Sequence, residues 1–387
     1  MSTHSRTILV LTNDAGLGHR QAALATVAAL EQRYGAHCRP VLVNPLEEPD
    51  APRTLRNLQS DFNSIVRFAP ALYQFAHDIG NMWASTRLME RLEVQSLAQP
   101  LGHILDRERP DVVVTTHPAF VYLLVHYRQL HGATWPIVVL VTDLARLQRL
   151  WFRPEVDLYL VPTGEAAELA RRRGIDPRRV HVTGIPVDPR VSEPRPMPAI
   201  LRAGYGWDTE RTTVLAVGSR RVHEFPAFLR ALNNANLPIQ LAVVTGDDAE
   251  LLAQVKAINW RLPVHLYGFV HDFAERALAA DAVVTKAGGL TVAETLAVGR
   301  PLFIIQSIPM HEQGNADYVV ANSAGVRAES PAALAKALRE ALQDDGRFLA
   351  AMTENARLLG RPRAAFDVAD LIWAQIEQRL PSAYPVA

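Results

Sequence analysis

The sequence predicts an α/β protein built from two doubly wound domains of Rossmann type. Short apolar runs rich in β-branched residues alternate with longer helical stretches, and this alternation restarts past the middle of the chain. Continuous apolar strands between amphipathic helices are typical of parallel sheets covered on both faces. With 387 residues, the chain is long enough for two domains of ordinary size.

The first series of strands predicts an N-terminal domain over residues 1–185. It begins with TILVL at Thr7–Leu11, the pattern of a buried strand, and a glycine-containing turn then leads into a helix predicted from Gln21 to Tyr34. The remaining strands of this series are predicted at 41–43, 112–116, 137–141 and 158–161.

The second series predicts a C-terminal domain over residues 212–360. Its strands are predicted at 213–217, 239–245, 264–267, 282–285 and 302–305. Residues 186–211 form a predicted linker, because its frequent prolines block helix and central strand alike. The last stretch, 361–387, contains an amphipathic helix from Arg363 to Leu380 with no strand after it. We expect that helix to pack back on the N-terminal domain.

The composition excludes several classes of protein. Residues are 49% hydrophobic and 21% charged, as in soluble globular proteins, and 40 basic residues balance 40 acidic ones. A chain without net charge lacks the cationic field of a nucleic-acid binder, so no nucleic-acid partner is expected. The single cysteine, Cys38, excludes an intramolecular disulfide framework and a cysteine-rich zinc site.

The N-terminus runs directly into the first strand without the layout of a signal peptide. No stretch of about 18 apolar residues occurs, so no transmembrane helix is expected. We therefore expect a cytoplasmic protein that is attached to a membrane at most peripherally.

Two loops of the N-terminal half carry histidines at strand ends, where doubly wound sheets bind ligands. In NDAGLGHR, Gly16 and Gly18 let the backbone approach a ligand closely, and His19 follows them. This loop is not the dinucleotide fingerprint, so a nicotinamide cofactor is not expected. His117 follows the strand VVVTT, where it is either a proton acceptor or an ordinary turn residue.

Asp143 follows a third strand of the N-terminal half. Its carboxylate could orient a histidine, hold a substrate hydroxyl, or cap the following helix. The residue type alone leaves these three interpretations open.

Two loops of the C-terminal half form the richest pattern. In TKAGGLTVAE, a strand ends, two glycines make a tight turn and a helix begins, so its first amides can hold a diphosphate. Lys286 adds a positive charge in a chain that has only three lysines. Glu312 follows the next strand and is placed to accept hydrogen bonds from a ribose diol.

Taken together, these residues resemble the GT-B glycosyltransferases, specifically the group of monogalactosyldiacylglycerol synthases, processive diacylglycerol glucosyltransferases and MurG. The stretch TKAGGLTVAETLAVGRPLFIIQSIPMHEQGNADYVV is similar to the group's nucleotide-sugar signature, and TNDAGLGHRQAALA to its N-terminal glycine loop. The segment from VTDL to GIPVDPR is similar to the middle of the galactolipid synthases. The resemblance covers most of the chain, and it implies two domains that face each other across a cleft.

The resemblance implies a UDP-sugar bound chiefly by the C-terminal domain, with no further cofactor. It assigns His19, His117 and Asp143 to catalysis. It assigns to donor binding the two glycines of the N-terminal loop and a larger set in the C-terminal half. These residues are Gly16, Gly18, Gly218, Ser219, Phe269, Val270, Lys286, Gly288, Gly289, Thr291, Glu294, Glu312, Gln313 and Asn315. Phe269 and Val270 would border the base, and Gln313 and Asn315 would line the sugar.

Four residues, at three places in the chain, depart from the pattern of the group. Arg220 and Arg221 follow Gly218 and Ser219, where the group has a glycine cluster with an acid; Gln148 stands where a histidine is usual; and His311 replaces a common glutamine. These changes bear on how the phosphates are held and on which sugar and acceptor are used.

The implied reaction is direct displacement at the anomeric carbon with inversion, without a metal, onto a diacylglycerol-type lipid. Neither Asp247-Asp248 nor Asp344-Asp345 fits the DxD site of metal-dependent transferases. The alternatives are a UDP-sugar epimerase, a transferase for a polyprenyl-linked or small hydrophobic acceptor, and a nucleotide-sugar binder without activity.

A lipid acceptor requires an apolar surface near a membrane. Residues 53–100 interleave aromatic side chains with arginines, as in helices that lie on anionic bilayers, although such a stripe is more often part of a core. We expect peripheral contact with an anionic membrane, on the inner face of the cell membrane.

Overall fold

The computed structural model describes residues 5–14, 17–52, 83–219, 221–222, 224–307 and 312–378. The chain forms two compact units, one of Met1–Pro189 together with Arg363–Ala387 and one of Arg190–Pro362. Each unit contains a six-stranded sheet whose recorded strand pairs are all parallel. The predicted α/β class, with two doubly wound sheets, is confirmed.

The first unit has a sheet in the order β2-β1-β3-β4-β5-β6. Its strands are β1 (Arg6–Leu11), β2 (Cys38–Val43), β3 (Val112–Thr115), β4 (Ile137–Leu140), β5 (Leu158–Val161) and β6 (Val180–Val182). Its described helices are α1 (Leu17–Tyr34), α2 (Trp83–Glu108), α3 (Ala119–His131), α4 (Gly164–Arg172) and, from the C-terminal end of the chain, Ala364–Glu377.

The second unit has a sheet in the order β12-β11-β10-β7-β8-β9. Its strands are β7 (Thr212–Val217), β8 (Ile239–Val244), β9 (Val264–Tyr267), β10 (Ala282–Lys286), β11 (Leu302–Gln306) and β12 (Gly325–Arg327). Its helices are α5 (Pro198–Gly204), α6 (Phe225–Asn234), α7 (Ala249–Lys256), α8 (Phe273–Ala279), α9 (Gly289–Ala297), α10 (Gln313–Ala321), α11 (Pro331–Ala341) and α12 (Arg347–Leu359). The C-terminal helix Ala364–Glu377 is α13.

Both faces of the first sheet are buried. Along β1, Leu9 and Leu11 belong to one apolar cluster, while Ile8 and Val10 belong to another on the opposite face. This alternation follows from the two-residue period of a strand. It explains why the strands are continuously apolar and could be recognised from the sequence.

Helix α13 packs on the first unit, against α1. Val368 and Ile372 of α13 are fully buried in the same apolar cluster as Ile8 and Val10 of β1. At the edge of this contact, the rings of Tyr34 and Trp373 stack with their centroids 4.3 Å apart. The chain end thus covers one face of the N-terminal sheet.

The structure differs from the sequence expectations at several element boundaries. Helix α1 begins at Leu17 rather than Gln21, so that Gly18 and His19 lie inside its first turn. Strands β6 and β12 were not predicted, since three residues give too short a pattern. Helix α5 lies within the predicted linker, and Pro198 is its first residue, a position where proline is compatible with a helix.

Buried arginines anchor the beginning of β10. Arg202 donates to the carbonyl of Ala279 at 2.7 Å and to the Asp281 carboxylate at 2.7 Å, and Arg300 donates to the carbonyl of Leu278 at 2.6 Å. Burial lowers the pKa of Arg300 to about 10. These guanidinium groups satisfy the last carbonyls of α8, which favour positive charge. They fix the entry to the strand whose other end carries Lys286.

No helix in the described part of the chain is both long enough and apolar enough to cross a membrane.

Replacing Ile372 with alanine should lower the free energy of unfolding of the first unit by about 2–5 kcal/mol, because it leaves a cavity under α13. Thermal and urea unfolding would measure the change. Gln378→Ala, at the exposed residue that follows the same helix, is the matched control, with an expected effect within about 0.5 kcal/mol. Equal stability of the two variants would show that α13 does not contribute to this core.

Candidate active site

The order of strands in the first unit brings three loops together. Strands β1, β3 and β4 are neighbours in the sheet, so the residues that follow them lie side by side at the carboxyl edge. His19 follows β1 in the first turn of α1, Thr116 and His117 follow β3, and Thr142 follows β4. Residues far apart in the sequence therefore form one cluster.

His19 is held by two oxygen atoms on the same ring nitrogen. Its Nδ1 lies 2.8 Å from the backbone carbonyl oxygen of Thr116 and 2.8 Å from Oγ1 of Thr142. Both threonines are buried, and the amide of Thr116 is itself bonded to the carbonyl of Leu11 at 3.0 Å. The ring orientation is therefore set by the sheet edge.

The Thr116 contact determines the tautomer of His19. A carbonyl oxygen only accepts hydrogen bonds, so Nδ1 must carry the proton. In the neutral ring, Nε2 then holds the lone pair. His19 can therefore act as a base through Nε2.

His117 has the opposite arrangement. Its Nδ1 accepts a hydrogen bond from the backbone amide of Ala119 at 3.3 Å, so the proton of the neutral ring is on Nε2. Its ring packs edge-on against His19, with the centroids 4.7 Å apart. The two neighbouring histidines are thus opposite tautomers. Nε2 of His19 can accept a proton, whereas Nε2 of His117 donates a hydrogen bond.

The structure does not pair Asp143 with a histidine. Within the described residues, the recorded partners of His19 Nδ1 are Thr116 and Thr142, and no hydrogen bond of Asp143 is recorded. At Nδ1 of His19, Thr142, the neighbour of Asp143, occupies a position from which a carboxylate could have oriented the ring. The catalytic role assigned to Asp143 stays a prediction.

The N-terminal glycine loop is described in part. Gly16 lies outside the described residues, while Gly18 lies in the first turn of α1, before His19. Asp14 accepts hydrogen bonds from Arg20 at 2.8 Å and from Asn44 at 3.2 Å. Its hydrogen bond raises the pKa of Arg20. This network ties the start of α1 to the end of β2.

In the second unit, loops that follow neighbouring strands also lie side by side at the carboxyl edge of the sheet. Strands β11, β10 and β7 are neighbours, so the loops after them adjoin. The amide of Ala287 donates to the carbonyl of Gln306 at 2.9 Å, and the side-chain amide of Gln306 donates to the carbonyl of Arg221 at 2.8 Å. These bonds hold all three loops in one layer.

Lys286 and Glu312 form an ion pair at this edge. The ammonium of Lys286 contacts Oε1 of Glu312, and the two side chains are 18% and 5% exposed. A Cβ atom placed on Gly288 would lie 2.8 Å from Nζ of Lys286 and 3.7 Å from Oε1 of Glu312. The pair therefore lies directly against Gly288, the residue that precedes α9.

The start of α9 has no side-chain cap. Gly288 is its N-cap, and no acidic residue occupies its first turn, which includes Gly289 and Thr291. Such an end presents backbone N–H groups and favours negative charge. Glu294 lies further along the same helix and is half-buried.

Gly218 and Ser219 follow β7 beside this layer. A Cβ atom on Gly218 would lie 2.5 Å from the ring of Phe225, and its amide already donates to the carbonyl of Val244 at 2.8 Å. Packing against Phe225 thus requires glycine at this position. The hydroxyl of Ser219 accepts a hydrogen bond from the amide of Arg221 at 3.3 Å.

The remaining donor residues differ in exposure. Phe269 follows β9 and is 51% exposed, with its ring edge-on to His271, while Val270 and Gln313 are half-buried. Asn315 is fully buried, and its side-chain amide donates to the carbonyl of Ala287 at 3.0 Å. This bond holds the loop after Lys286, and the donor-binding role of Asn315 stays a prediction.

Two positions that depart from the group's pattern, Arg220 and His311, lie outside the described residues. Among the residues that are described, no group of three or more histidine, cysteine, aspartate or glutamate side chains could hold a metal ion.

Comparison with family models matches both halves of the chain. Residues 19–187 match the model described as monogalactosyldiacylglycerol (MGDG) synthase, and residues 214–368 match the glycosyltransferase family 28 C-terminal domain. Monogalactosyldiacylglycerol synthase from Spinacia oleracea is 29% identical over 96% of this chain and 73% of its own length.

Solved structures share the fold. MurG from Acinetobacter baumannii has a TM-score of 0.59 at 16% identity, covering 96% of this chain and all of that one. A putative UDP-N-acetylglucosamine 2-epimerase from Listeria monocytogenes has a TM-score of 0.62 at 13% identity, covering 98% of each chain. At these identities the likeness shows the architecture alone, which transferases and an epimerase have in common.

The two histidines should differ in their NMR signatures. At about pH 8, where an unperturbed imidazole is neutral, ¹⁵N shifts should show the proton on Nδ1 of His19 and on Nε2 of His117. The exposed His37 provides a reference ring. The Nε2–H tautomer at His19 would contradict the hydrogen bond to Thr116.

Proposed function

Because the chain belongs to the monogalactosyldiacylglycerol synthase group of GT-B glycosyltransferases, we propose that it transfers a hexose from a UDP-sugar to diacylglycerol. The family models carry the assignment of the reaction class. The observation in the structure that supports it best is His19, whose Nε2 is left as a base by the Thr116 carbonyl.

The donor binds at the carboxyl edge of the second unit. The uncapped start of α9 provides the positive potential that a diphosphate requires, and the ammonium of Lys286, whose charge Glu312 balances, adds hydrogen-bond donors beside it. Glu312, immediately beside them, accepts hydrogen bonds from the ribose hydroxyls. Phe269 is an exposed aromatic ring at the same edge, suited to lie against a uracil base.

The acceptor reacts by direct displacement. Nε2 of His19 takes the proton of the acceptor hydroxyl while its oxygen forms a bond to the anomeric carbon, and the bond from that carbon to the diphosphate oxygen breaks. The configuration at the anomeric carbon is inverted. His117 donates a hydrogen bond from Nε2 and positions the acceptor oxygen. General base catalysis by a positioned side chain increases the reaction rate about 10²- to 10⁴-fold.

Two oxygen atoms at Nδ1 stabilise the imidazolium that forms on His19. The hydrogen bond from Nδ1 of His19 to the Thr116 carbonyl strengthens as the ring becomes charged, and the Thr142 hydroxyl lies at the same nitrogen. On the donor, the departing UDP gains negative charge. The start of α9 and Lys286 stabilise that charge without rearrangement and without a metal.

The lipid substrate places the reaction at a membrane surface. We propose peripheral contact with an anionic bilayer, on the inner face of the cell membrane, through the aromatic and arginine-rich residues 53–100. Most of that stretch lies outside the described residues. The proposal rests on its composition and on the acceptor named for the family.

Incubation with UDP-galactose or UDP-glucose and diacylglycerol distinguishes the possible activities. Labelled glycolipid is the result that the transferase predicts, and it also identifies the hexose. Epimerised nucleotide sugar would support the epimerase, which the family models do not favour. Label on a polyprenyl-linked or small hydrophobic acceptor alone would replace diacylglycerol as the substrate.

His19→Ala should lower turnover about 10²- to 10⁴-fold, whereas His117→Ala should lower it less, since only His19 takes the proton. Neither change should alter the Kd for UDP, because both side chains lie in the first unit. Single-turnover kinetics and calorimetry would measure the two quantities. Our choice of base is wrong if His117→Ala is the slower variant.

A further inference from the structure

We propose that Lys286 links recognition of the ribose to recognition of the diphosphate: it positions Glu312 for the ribose and places its own charge against the diphosphate. This inference rests on the proposed function, since it concerns the donor site of the same reaction. It assigns two tasks to one ammonium group.

The first task follows from the ion pair. Glu312 is 5% exposed, and a buried carboxylate without a partner is costly. The ammonium of Lys286 contacts Oε1 of Glu312, so it balances the charge of the carboxylate and holds that oxygen in place. A ribose diol that binds Glu312 therefore depends on Lys286.

The second task follows from the position of the ammonium. Nζ of Lys286 lies so close to Gly288 that a Cβ atom there would be only 2.8 Å away. Gly288 is the N-cap of α9, where the diphosphate is expected. The charge of Lys286 therefore lies between the carboxylate that meets the ribose and the amides that meet the phosphates.

Lys286 also reduces the electrostatic repulsion between the Glu312 carboxylate and the diphosphate of the ligand. Without it, the charge of Glu312 would lie next to a ligand of two or three negative charges in a partly buried site, where like charges repel strongly. Lysine suits this position because its ammonium is a compact charge with three donors, enough for a carboxylate and a phosphate oxygen together.

Two ligands separate the two tasks. Uridine contains the ribose without phosphates, and UDP contains both. The ratio of their Kd values therefore measures how much the diphosphate contributes to binding. The variants are Lys286→Met, Glu312→Gln and their combination. Lys256→Met, an exposed lysine of the same unit, is the matched control. Calorimetry gives Kd for UDP, NMR titration gives it for uridine, and thermal unfolding checks that each variant is folded.

Lys286→Met should weaken UDP about ten- to a hundredfold, and it should weaken uridine several-fold through the misplaced Glu312. In the Glu312→Gln background, Lys286→Met should no longer affect uridine, yet it should still weaken UDP. Lys256→Met should change neither ligand.

The outcomes separate this inference from the proposed function. If the wild-type chain binds neither ligand, the donor site itself is wrong. If it binds UDP and Lys286→Met leaves both affinities unchanged, only the role of Lys286 is wrong. An equal loss for uridine and UDP, the same in both backgrounds, would mean that Lys286 merely holds the loop in shape.

Discussion

Parallel strand pairing is the constraint on which the candidate site depends. It places the carboxyl ends of all strands at one edge of each sheet, where the backbone leaves the ladder and its loops become free to carry chemistry. In the first unit, this brings His19 to Thr116 and Thr142, which are 97 and 123 positions away in the sequence. In the second, it brings Glu312 against Lys286, 26 positions away. No local segment could form either contact.

The carboxyl edges of the two sheets differ in their electrostatic environments. At Nδ1 of His19, a carbonyl and a hydroxyl orient the ring, and Nε2 is the position that can accept a proton. Around Gly288, a buried ion pair adjoins a helix start, which suits a ligand with several negative charges. These two environments suit the proton transfer and the anion binding that the proposed transfer reaction requires.

Much of this could be predicted from the sequence. The central strands are continuously apolar because both faces of each sheet are buried, and the glycine-rich loops and Lys286 follow strand ends that the pattern marks clearly. The edge strands β6 and β12 could not be predicted, since three residues are too few to show a period in the sequence.

The details of the site could not be predicted, because they depend on side-chain direction. Thr142 and Asp143 are adjacent polar residues after one strand, and a sequence does not say which of them faces His19. The carboxylate of Asp143 suggested a partner for a histidine, but the hydroxyl of Thr142 makes the contact with His19 Nδ1. Similarly, the resemblance places Asn315 beside the donor sugar, but the sequence does not show that its buried side-chain amide bonds to the carbonyl of Ala287. The tautomers of His19 and His117 follow from backbone groups that no residue pattern encodes.

The central claim is that the loop from Lys286 to Thr291, together with Glu312, binds the diphosphate and ribose of the donor. A crystal structure of the chain with UDP tests it most directly. We expect the phosphate oxygens within hydrogen-bond distance of the first amides of α9 and of Lys286, and the ribose hydroxyls at Glu312. Well-defined UDP bound anywhere else would contradict the account.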